Sequence, residues 1–202
     1  MVRLTKIYTR GGDGGATSLG DGTRVSKASP RVAAYGAVDE ANASIGIARL
    51  YTDERAGDIL TRVQNDLFDM GADLCVPPSE AKGKSRIRIE DYQVEWLEQT
   101  IDALNADLAP LDSFVLPGGS AASAFLHASR TIVRRAERLV VDLIEFEGGV
   151  RAASPEPVPA VTPAVLTYLN RLSDLLFVMA RHANDHGRGD VLWRPRAHAP
   201  AG

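Results

Sequence analysis

The segment Ser129-Arg-Thr-Ile-Val-Arg-Arg-Ala-Glu-Arg-Leu-Val-Val141 decides the fold of the C-terminal half of this 202-residue chain. Its apolar residues recur at the spacing of a helix with one buried face, not at the alternating spacing of a strand. On such a helix Arg130, Arg134 and Glu137 lie within about 40° of one another. Two guanidinium groups and a carboxylate therefore share one stripe of the helix surface.

This arginine stripe has two interpretations. It could be a solvated charged face with weak pairs between residues three and four positions apart. It could instead bind an anion, because a planar guanidinium group matches two oxygens of a phosphate. The segment by itself leaves both open.

Helical periodicity continues on both sides of the stripe and predicts five helices in all. Pro77-Pro78 is expected to end the second helix, Gly148-Gly149 the fourth, and Thr162-Pro163 begins the fifth. No segment has a convincing strand pattern, so the fold class is all-α, a five-helix bundle. The predicted helices span about 30–51, 53–75, 90–107, 120–147 and from 163 onward.

Size and composition indicate one cytoplasmic domain. The formal net charge is −3 and hydrophobic residues make up 45% of the chain, which argues against a dedicated nucleic-acid binder. Cys75 is the only cysteine, so no internal disulfide can form and a reducing compartment is favoured. Neither a signal peptide nor an apolar run long enough to span a bilayer is present. We expect no nucleic acid and no membrane among the partners.

Residues 1–29 form a segment rich in Gly, Ser and Thr ahead of the first helix. Glycines allow backbone N–H groups to approach an anion closely, and Arg10 and Lys27 add positive charge. The segment is therefore either a nucleotide-binding loop or a flexible N-terminal tail.

Three further features of the sequence concern an aromatic residue, a histidine pair and the C-terminal residues. Phe114 lies in an apolar loop segment, and a loop aromatic can either cover the core or contact a ligand. His182 and His186 are four residues apart, but without a third ligand they do not make a metal motif. Residues 187–202 are expected to be a flexible tail, apart from Trp193 as a candidate anchor.

Five segments, in chain order over residues 6 to about 184, resemble the signature segments of the PduO-type ATP:cob(I)alamin adenosyltransferases. They are Thr9-Arg-Gly-Gly-Asp-Gly-Gly-Ala-Thr-Ser18, Arg31-Val-Ala-Ala-Tyr-Gly-Ala-Val-Asp-Glu40, Phe114-Val-Leu-Pro-Gly-Gly119, Arg130-Thr-Ile-Val-Arg-Arg-Ala-Glu-Arg138 and Leu169-Asn-Arg-Leu-Ser-Asp174.

The resemblance implies a single adenosyltransferase domain over residues 1–186, assembled as a homotrimer with active sites between subunits. It implies transfer of the 5′-deoxyadenosyl group of ATP to the cobalt of cob(I)alamin, with release of triphosphate. The co-substrate is ATP with Mg²⁺, which ATP itself carries, so no dedicated protein metal site is expected. A reductase and a cobalamin-dependent acceptor enzyme are possible further partners.

The resemblance also implies roles for individual residues. Arg134, Phe114, Asp39 and Arg130 are the expected catalytic group, with Phe114 against the corrin and Asp39 paired with Arg130 between subunits. Expected ATP-binding residues are Thr9, Arg10, Gly11, Gly12, Thr17, Ser18, Lys27, Arg134, Arg135, Glu137, Arg138 and Asn170.

Two other functions remain as alternatives. A non-catalytic nucleotide-binding regulator would keep the glycine-rich loop and the arginine stripe but would not need Phe114. A purely structural helical bundle would need none of the three.

Overall fold

The computed structural model describes residues 7–78, 87–151 and 159–197, and these residues form a helical bundle with one small β-hairpin. The predicted all-α bundle is confirmed. The helices are α1 Pro30–Arg49, α2 Glu54–Leu74, α3 Asp91–Asn105, α4 Ala121–Arg151 and α5 Pro163–His182, and the hairpin strands are β1 Ala16–Ser18 and β2 Arg24–Ser26.

Local side-chain chemistry sets most of the helix starts. The Ser29 hydroxyl accepts a hydrogen bond from the backbone N–H of Val32, and Pro30 occupies the first position of α1. Asp53 caps α2 in the same way, and Ser120 accepts from the N–H of Ser123 at the start of α4. These caps place the helix starts within a residue or two of the positions that the sequence predicts.

The end of α4 differs from the prediction. Gly148-Gly149 does not stop this helix, which continues to Arg151. Glycine inside a helix costs about 1 kcal/mol relative to alanine. The preceding turn is fixed from outside the helix, because Arg31 of α1 donates two hydrogen bonds to the Glu147 carboxylate.

The helices pack in pairs around one core. α1 packs against α2 and α4, and α5 packs against α3 and α4. α1 and α4 run antiparallel, because Arg31 meets Glu147 near one end and Glu40 meets Arg135 further along. The largest fully buried side chains include Ile45, Leu67, Met70, Leu126, Leu143, Tyr168, Leu169 and Leu172.

Buried carboxylates hold the bundle together where helices meet. Asp66 of α2 accepts hydrogen bonds from Gln93 at 2.7 Å and from the Tyr168 hydroxyl at 2.9 Å. Asp73 accepts from the Arg88 guanidinium and from the hydroxyl of Thr162, just before α5. Each carboxylate joins elements that are far apart in sequence, and such buried polar groups require these partners.

The β-hairpin lies at the end of the bundle where α1 begins and α2 ends. Its strands pair antiparallel with Thr17 opposite Val25. Leu19 is buried, and Gly20 donates from its N–H to the carbonyl of Cys75 at 2.9 Å. A side chain at Gly20 would collide with Val76 at 2.6 Å, so this contact requires glycine.

At the opposite end, the loop before α4 is joined to the chain after α5. Val115 and Leu192 form an antiparallel bridge. Within the expected tail, residues 191–193 form backbone hydrogen bonds to residues 114–116 around the candidate anchor Trp193. Residues 198–202 lie outside the described residues. Among the helices that the structure describes, none has the length and apolarity to cross a membrane.

Candidate functional site

The candidate site begins with a polar seam between α4 and α5. The Asn170 side-chain amide donates a hydrogen bond to the Glu137 carboxylate at 3.0 Å. Arg134, one turn before Glu137, is exposed and forms no hydrogen bond or ion pair with any residue the structure describes. An arginine without an internal partner, beside an ordered carboxylate and amide, is suited to bind an anionic ligand.

Asp174 extends the seam along α5. Burial raises the pKa of its carboxyl group, Arg171 and Arg134 lower it, and Glu137 raises it. The charges of Arg134 and Glu137 therefore both act on the Asp174 carboxylate, in opposite directions. A bound cation would further favour the ionised form of Asp174.

Arg130 lies one turn before Arg134 and leads into a buried part of α4. Its guanidinium Nε is buried without a hydrogen-bond partner among the described residues. His127 below it is only 2% exposed, and neither ring nitrogen has a partner in the described part of the chain. Burial lowers the pKa of His127 and the charge of Arg130 lowers it further, while Asp190 opposes them. His127 is therefore neutral near pH 7. Its ring packs edge-to-face against the ring of Phe177.

Two predicted site residues, Arg135 and Asp39, are not on the seam. Arg135 points the other way and forms an ion pair with Glu40 of α1. Arg138 is exposed one turn after Arg134, next to it on the helix surface. Asp39 is exposed on α1 and does not contact Arg130 within the chain as described.

The glycine-rich loop has a defined shape. A side chain placed at Gly12 would lie 3.0 Å from the Lys27 ammonium, so this loop backbone and this charge adjoin each other. Arg24 donates to the carbonyl of Gly11 at 2.9 Å and to the Ser18 hydroxyl at 3.4 Å. Arg10 has a left-handed φ of 60°, and such uncommon backbone conformations often occur at binding sites. Thr9 is exposed in the loop before the hairpin, and Thr17 is half-buried in β1.

Phe114 stands at the other end of the bundle. Its side chain is 77% exposed, so it does not cover the core, and this alternative is wrong. Its ring lies 6.0 Å from that of Trp193, tilted by 57°. An exposed aromatic ring supported on one side only leaves its other side available for an apolar ligand.

The glycine-rich loop, Arg134 and Phe114 lie at different positions along the axis of the bundle. The register of α1 and α4 places Arg134 about 15 Å along the bundle from the end that carries the hairpin. Phe114 precedes Ser120, which bonds to Ala183 at the far end of the bundle. Since α1 has 20 residues, roughly 30 Å separates the two ends.

The described residues contain no group of three or more His, Cys, Asp or Glu side chains arranged to hold a metal ion. His182 Nε2 donates a hydrogen bond to the Leu104 carbonyl at 2.9 Å, and its ring centroid is 4.4 Å from that of His186. Both histidines line a cavity of about 540 Å³ between the α1–α2 turn and the start of α4.

Two residues beside the predicted site, Arg24 and His127, were not predicted from the sequence. Arg24 was a recognisable candidate, because Asp21-Gly22 is a hairpin-turn signal and Asp21 does accept from the N–H of Thr23. His127 gave no usable signal, since a single histidine on a helix is usually an ordinary buried residue. Its position beneath Arg130 appears only in the folded chain.

Comparison with known proteins gives consistent matches. The family model described as cobalamin adenosyltransferase matches residues 7–183. A corrinoid adenosyltransferase of Mycobacterium tuberculosis strain H37Rv is 50% identical over 196 residues, with 96% of this chain and 95% of the relative covered. One from Bacillus subtilis is 40% identical, with 92% and 91% covered.

A solved structure extends the similarity to three dimensions. It is a phenylalanine-to-alanine variant of a PduO-type ATP:corrinoid adenosyltransferase from Lactobacillus reuteri, complexed with cobalamin and ATP. It has a TM-score of 0.80 and 35% sequence identity, and the match covers 94% of this chain and 99% of that chain. An arginine-to-lysine variant of the same kind of enzyme, complexed with ATP, has a TM-score of 0.78 at 34% identity, covering 93% of this chain and 100% of that chain.

Proposed function

The chain belongs to the cobalamin adenosyltransferase family, and we propose how its residues carry out that family's reaction. The enzyme transfers the 5′-deoxyadenosyl group of ATP to the cobalt of cob(I)alamin, and it forms adenosylcobalamin and triphosphate. The observation that carries the proposed site is Arg134, an exposed guanidinium without an internal partner beside the Glu137–Asn170 pair.

The reaction itself explains why the site has no protein nucleophile. The filled orbital of Co(I) attacks C5′ of ATP, the C5′–O bond breaks, and its electron pair leaves with the triphosphate. The protein has to hold cobalt and C5′ in line, and such orientation can lower a barrier by several kcal/mol. Neither a catalytic triad nor a general base at C5′ is needed.

The departing triphosphate carries the charge that the protein must stabilise. Arg134 is the phosphate contact we assign first, with Lys27 and the backbone N–H groups of Gly11 and Gly12 as the contacts from the loop. Preorganised donors of this kind contribute most when they point to where charge develops. Thr9, Arg10, Thr17 and Ser18 complete the loop surface, and Arg138 extends the positive stripe.

Arg135 has a different role in this proposal. Because it is paired with Glu40, we infer that it fixes α4 against α1 and contacts ATP only if that pair opens. Glu137 orients Asn170 through their hydrogen bond, and Asn170 in turn accepts from Arg171 at 2.8 Å.

Phe114 serves the other substrate. An exposed apolar ring against the corrin excludes the lower axial ligand of cobalt. Removing that ligand makes Co(II) easier to reduce to the nucleophilic Co(I) state. The cofactor-like substrate supplies the reactivity, and the protein tunes it.

The positions of these parts support an active site shared by two chains of a homotrimer. The loop and Phe114 of one chain lie at opposite ends of the bundle, roughly 30 Å apart, whereas transfer requires ATP and cobalt in contact. Asp39 and Arg130, which do not meet within the chain, are the pair we assign to the contact between subunits.

Mg²⁺ would be held chiefly by phosphate oxygens. It prefers one or two carboxylates plus phosphate and water ligands, and Glu137 is a half-buried carboxylate one turn after Arg134 on α4. The ion would neutralise part of the triphosphate charge. We further expect a cytoplasmic setting, a reductase that supplies electrons and a cobalamin-dependent enzyme that accepts the product.

The test is an anaerobic reaction with ATP, Mg²⁺ and chemically reduced cob(I)alamin. We expect a light-sensitive cobalt–carbon product and one triphosphate for each product formed. ATP binding without product would favour a nucleotide-binding regulator. Absence of ATP binding, measured as unchanged proteolysis of residues 9–27, would favour a structural bundle.

A further inference from the structure

The chain after α5 returns to the loop that carries Phe114 and pairs with it. We name residues 191–193 the C-terminal strap. The N–H of Leu116 donates to the Val191 carbonyl at 2.8 Å, and the N–H of Trp193 donates to the Phe114 carbonyl at 2.7 Å. The Ser113 hydroxyl donates to the carbonyl of Trp193 at 2.7 Å. The backbone on both sides of Phe114 is thus fixed by the strap.

The strap also supports the Phe114 ring itself. The Trp193 ring is tilted against it with centroids 6.0 Å apart. Trp193 remains 45% exposed, so the two rings together form an apolar surface that faces solvent. In the described part of the chain, Trp193 is the only aromatic ring in contact with Phe114.

A buried polar cluster sets where the strap begins. Asp190 accepts from the Arg181 guanidinium at 2.9 Å and from the Asn184 amide at 3.0 Å, and both charged side chains are almost fully buried. Arg181 also donates to the carbonyl of Ala109 at 3.0 Å. The cluster therefore ties the end of α5, the start of the loop and the residue just before the strap.

The turn inside this cluster has an unusual backbone. Asp185, His186 and Gly187 all have positive φ angles, of 56°, 50° and 79°. A side chain at Gly187 would lie 2.9 Å from the Arg181 guanidinium. A turn that costs free energy locally persists where surrounding contacts hold it, and here the Arg181–Asp190 pair provides them.

We propose that the C-terminal strap is a positioning element for the corrin reaction, with Trp193 as the positioning residue that sets the orientation of Phe114. This inference rests on the proposed function, because it takes Phe114 as the group that excludes the lower axial ligand. Trp193 acts through Phe114, and the Arg181–Asp190–Asn184 cluster holds the strap in register. The Trp193 side chain and the backbone bonds of the strap carry this role, whereas the exposed Val191 side chain does not.

The experiment measures the lower ligand directly. Full-length protein is mixed with ATP, Mg²⁺ and cob(II)alamin, and the electron paramagnetic resonance spectrum is recorded. Splitting from the lower axial nitrogen reports the fraction of bound cobalamin that retains this ligand. We expect Trp193→Ala to raise the ratio of retained to displaced ligand roughly two- to tenfold, the range for one aromatic pair. Trp193→Phe should stay close to wild type.

The controls separate positioning from stability. Val191→Ala changes an exposed side chain of the strap but keeps its backbone bonds, so its spectrum should match wild type. Asp190→Asn should shift the ratio in the same direction as Trp193→Ala. ATP affinity should be unchanged in all variants, and thermal unfolding identifies any that fail to fold. If Trp193→Ala does not fold, Trp193→Leu replaces it in the same measurement.

The outcomes test the positioning role of Trp193 and the proposed function separately. A wild-type ratio for Trp193→Ala overturns the positioning role, whatever Asp190→Asn does. A wild-type protein that forms no adenosylcobalamin from pre-reduced cob(I)alamin overturns the proposed function instead. The two failures are seen in different samples and are therefore distinguishable.

Discussion

Arg31 and Arg134 are both helical arginines of the same bundle, but their surroundings are opposite. Arg31 is 4% exposed and donates to both oxygens of Glu147, to the Leu74 carbonyl and to the Ala160 carbonyl. Arg134 is exposed, and no residue in the described parts of the chain forms a hydrogen bond or ion pair with it.

The difference separates a structural arginine from a ligand-binding one. A guanidinium group has five N–H donors, and the fold uses those of Arg31 to join α1, α2, α4 and the chain before α5. The donors of Arg134 are left for something outside the chain. Both residues belong to segments that resemble the family, so the resemblance alone does not distinguish their roles.

The largest expected effect is on stability, from Arg31→Ala. Removing one partner of a buried ion pair costs about 3–5 kcal/mol, because the remaining charge loses its partner in a poorly hydrated place. Denaturant unfolding measures the change. Arg171→Ala, which breaks an exposed pair with Glu98, is the matched control and should cost less than about 1 kcal/mol. Similar losses in the two variants would contradict the comparison.

Arg134→Ala should lower activity and leave stability unchanged. We expect turnover to fall by about 10²–10³-fold, the range for one donor that stabilises developing charge, with unchanged unfolding. Steady-state rates with pre-reduced cob(I)alamin measure it. Arg134→Lys keeps the charge but loses the planar fork, so its rate should lie between the two. Near-normal turnover of Arg134→Ala would remove this residue from the site.

Phe114→Ala tests whether the other end of the bundle serves the second substrate. A phenylalanine buried against a ligand contributes about 1.5–3 kcal/mol, so the rate from cob(II)alamin should fall roughly 10- to 100-fold. The rate from pre-reduced cob(I)alamin and the affinity for ATP should change much less. Phe68→Ala, at a similarly exposed aromatic of α2, is the control. Equal losses from both cobalamin states would argue against the wedge role.

Asp39→Asn should give a smaller loss, both in activity and in assembly measured by sedimentation. Charge pairs in contact typically couple by about 0.5–3 kcal/mol. The double variant Asp39→Arg with Arg130→Asp should therefore recover part of the loss. Strictly additive losses would show that the two residues do not pair.

The smallest effect concerns pH and His127. Since burial and Arg130 lower the pKa of His127, the unfolded chain binds its proton first as pH falls. The free energy of unfolding should decrease below pH of about 6.5, with a slope of at most about 1.4 kcal/mol per pH unit. His127→Gln should flatten that slope in unfolding measurements. An unchanged slope would show that other groups cause it.

Much of the fold could be predicted from particular residues. Ser29-Pro30 and Thr162-Pro163 mark the starts of α1 and α5, because capping and a fixed φ are local effects. The hairpin was missed although Asp21-Gly22 signals its turn, since three-residue strands have no measurable alternation. Of the strap, the sequence indicated only Trp193 as a candidate anchor, because the partners of the strap are about 80 residues away in sequence.

The candidate site divides in the same way. Arg134, Glu137 and Asn170 were predicted to bind ATP, and that role stays a prediction. The structure joins Glu137 and Asn170 by a hydrogen bond, one turn of α4 after Arg134. Arg135 was predicted beside them, but its ion pair with Glu40 places it on the α1 side of α4. One position along a helix turns a side chain by about 100°, and only packing decides which neighbour that direction meets.

The sequence by itself determined the helical class, the arginine stripe and the family, because these depend on short-range periodicity and on ordered motifs. Only the tertiary structure decided which arginines form hydrogen bonds and ion pairs inside the molecule. Arg31 and Glu147 are 116 residues apart, and nothing local in either segment specifies the other. Arg134 keeps its donors because no residue of the described chain forms a hydrogen bond or ion pair with it. A guanidinium group finds its hydrogen bonds within the fold, in water or in a ligand, and the packed bundle decides which of these can reach each arginine.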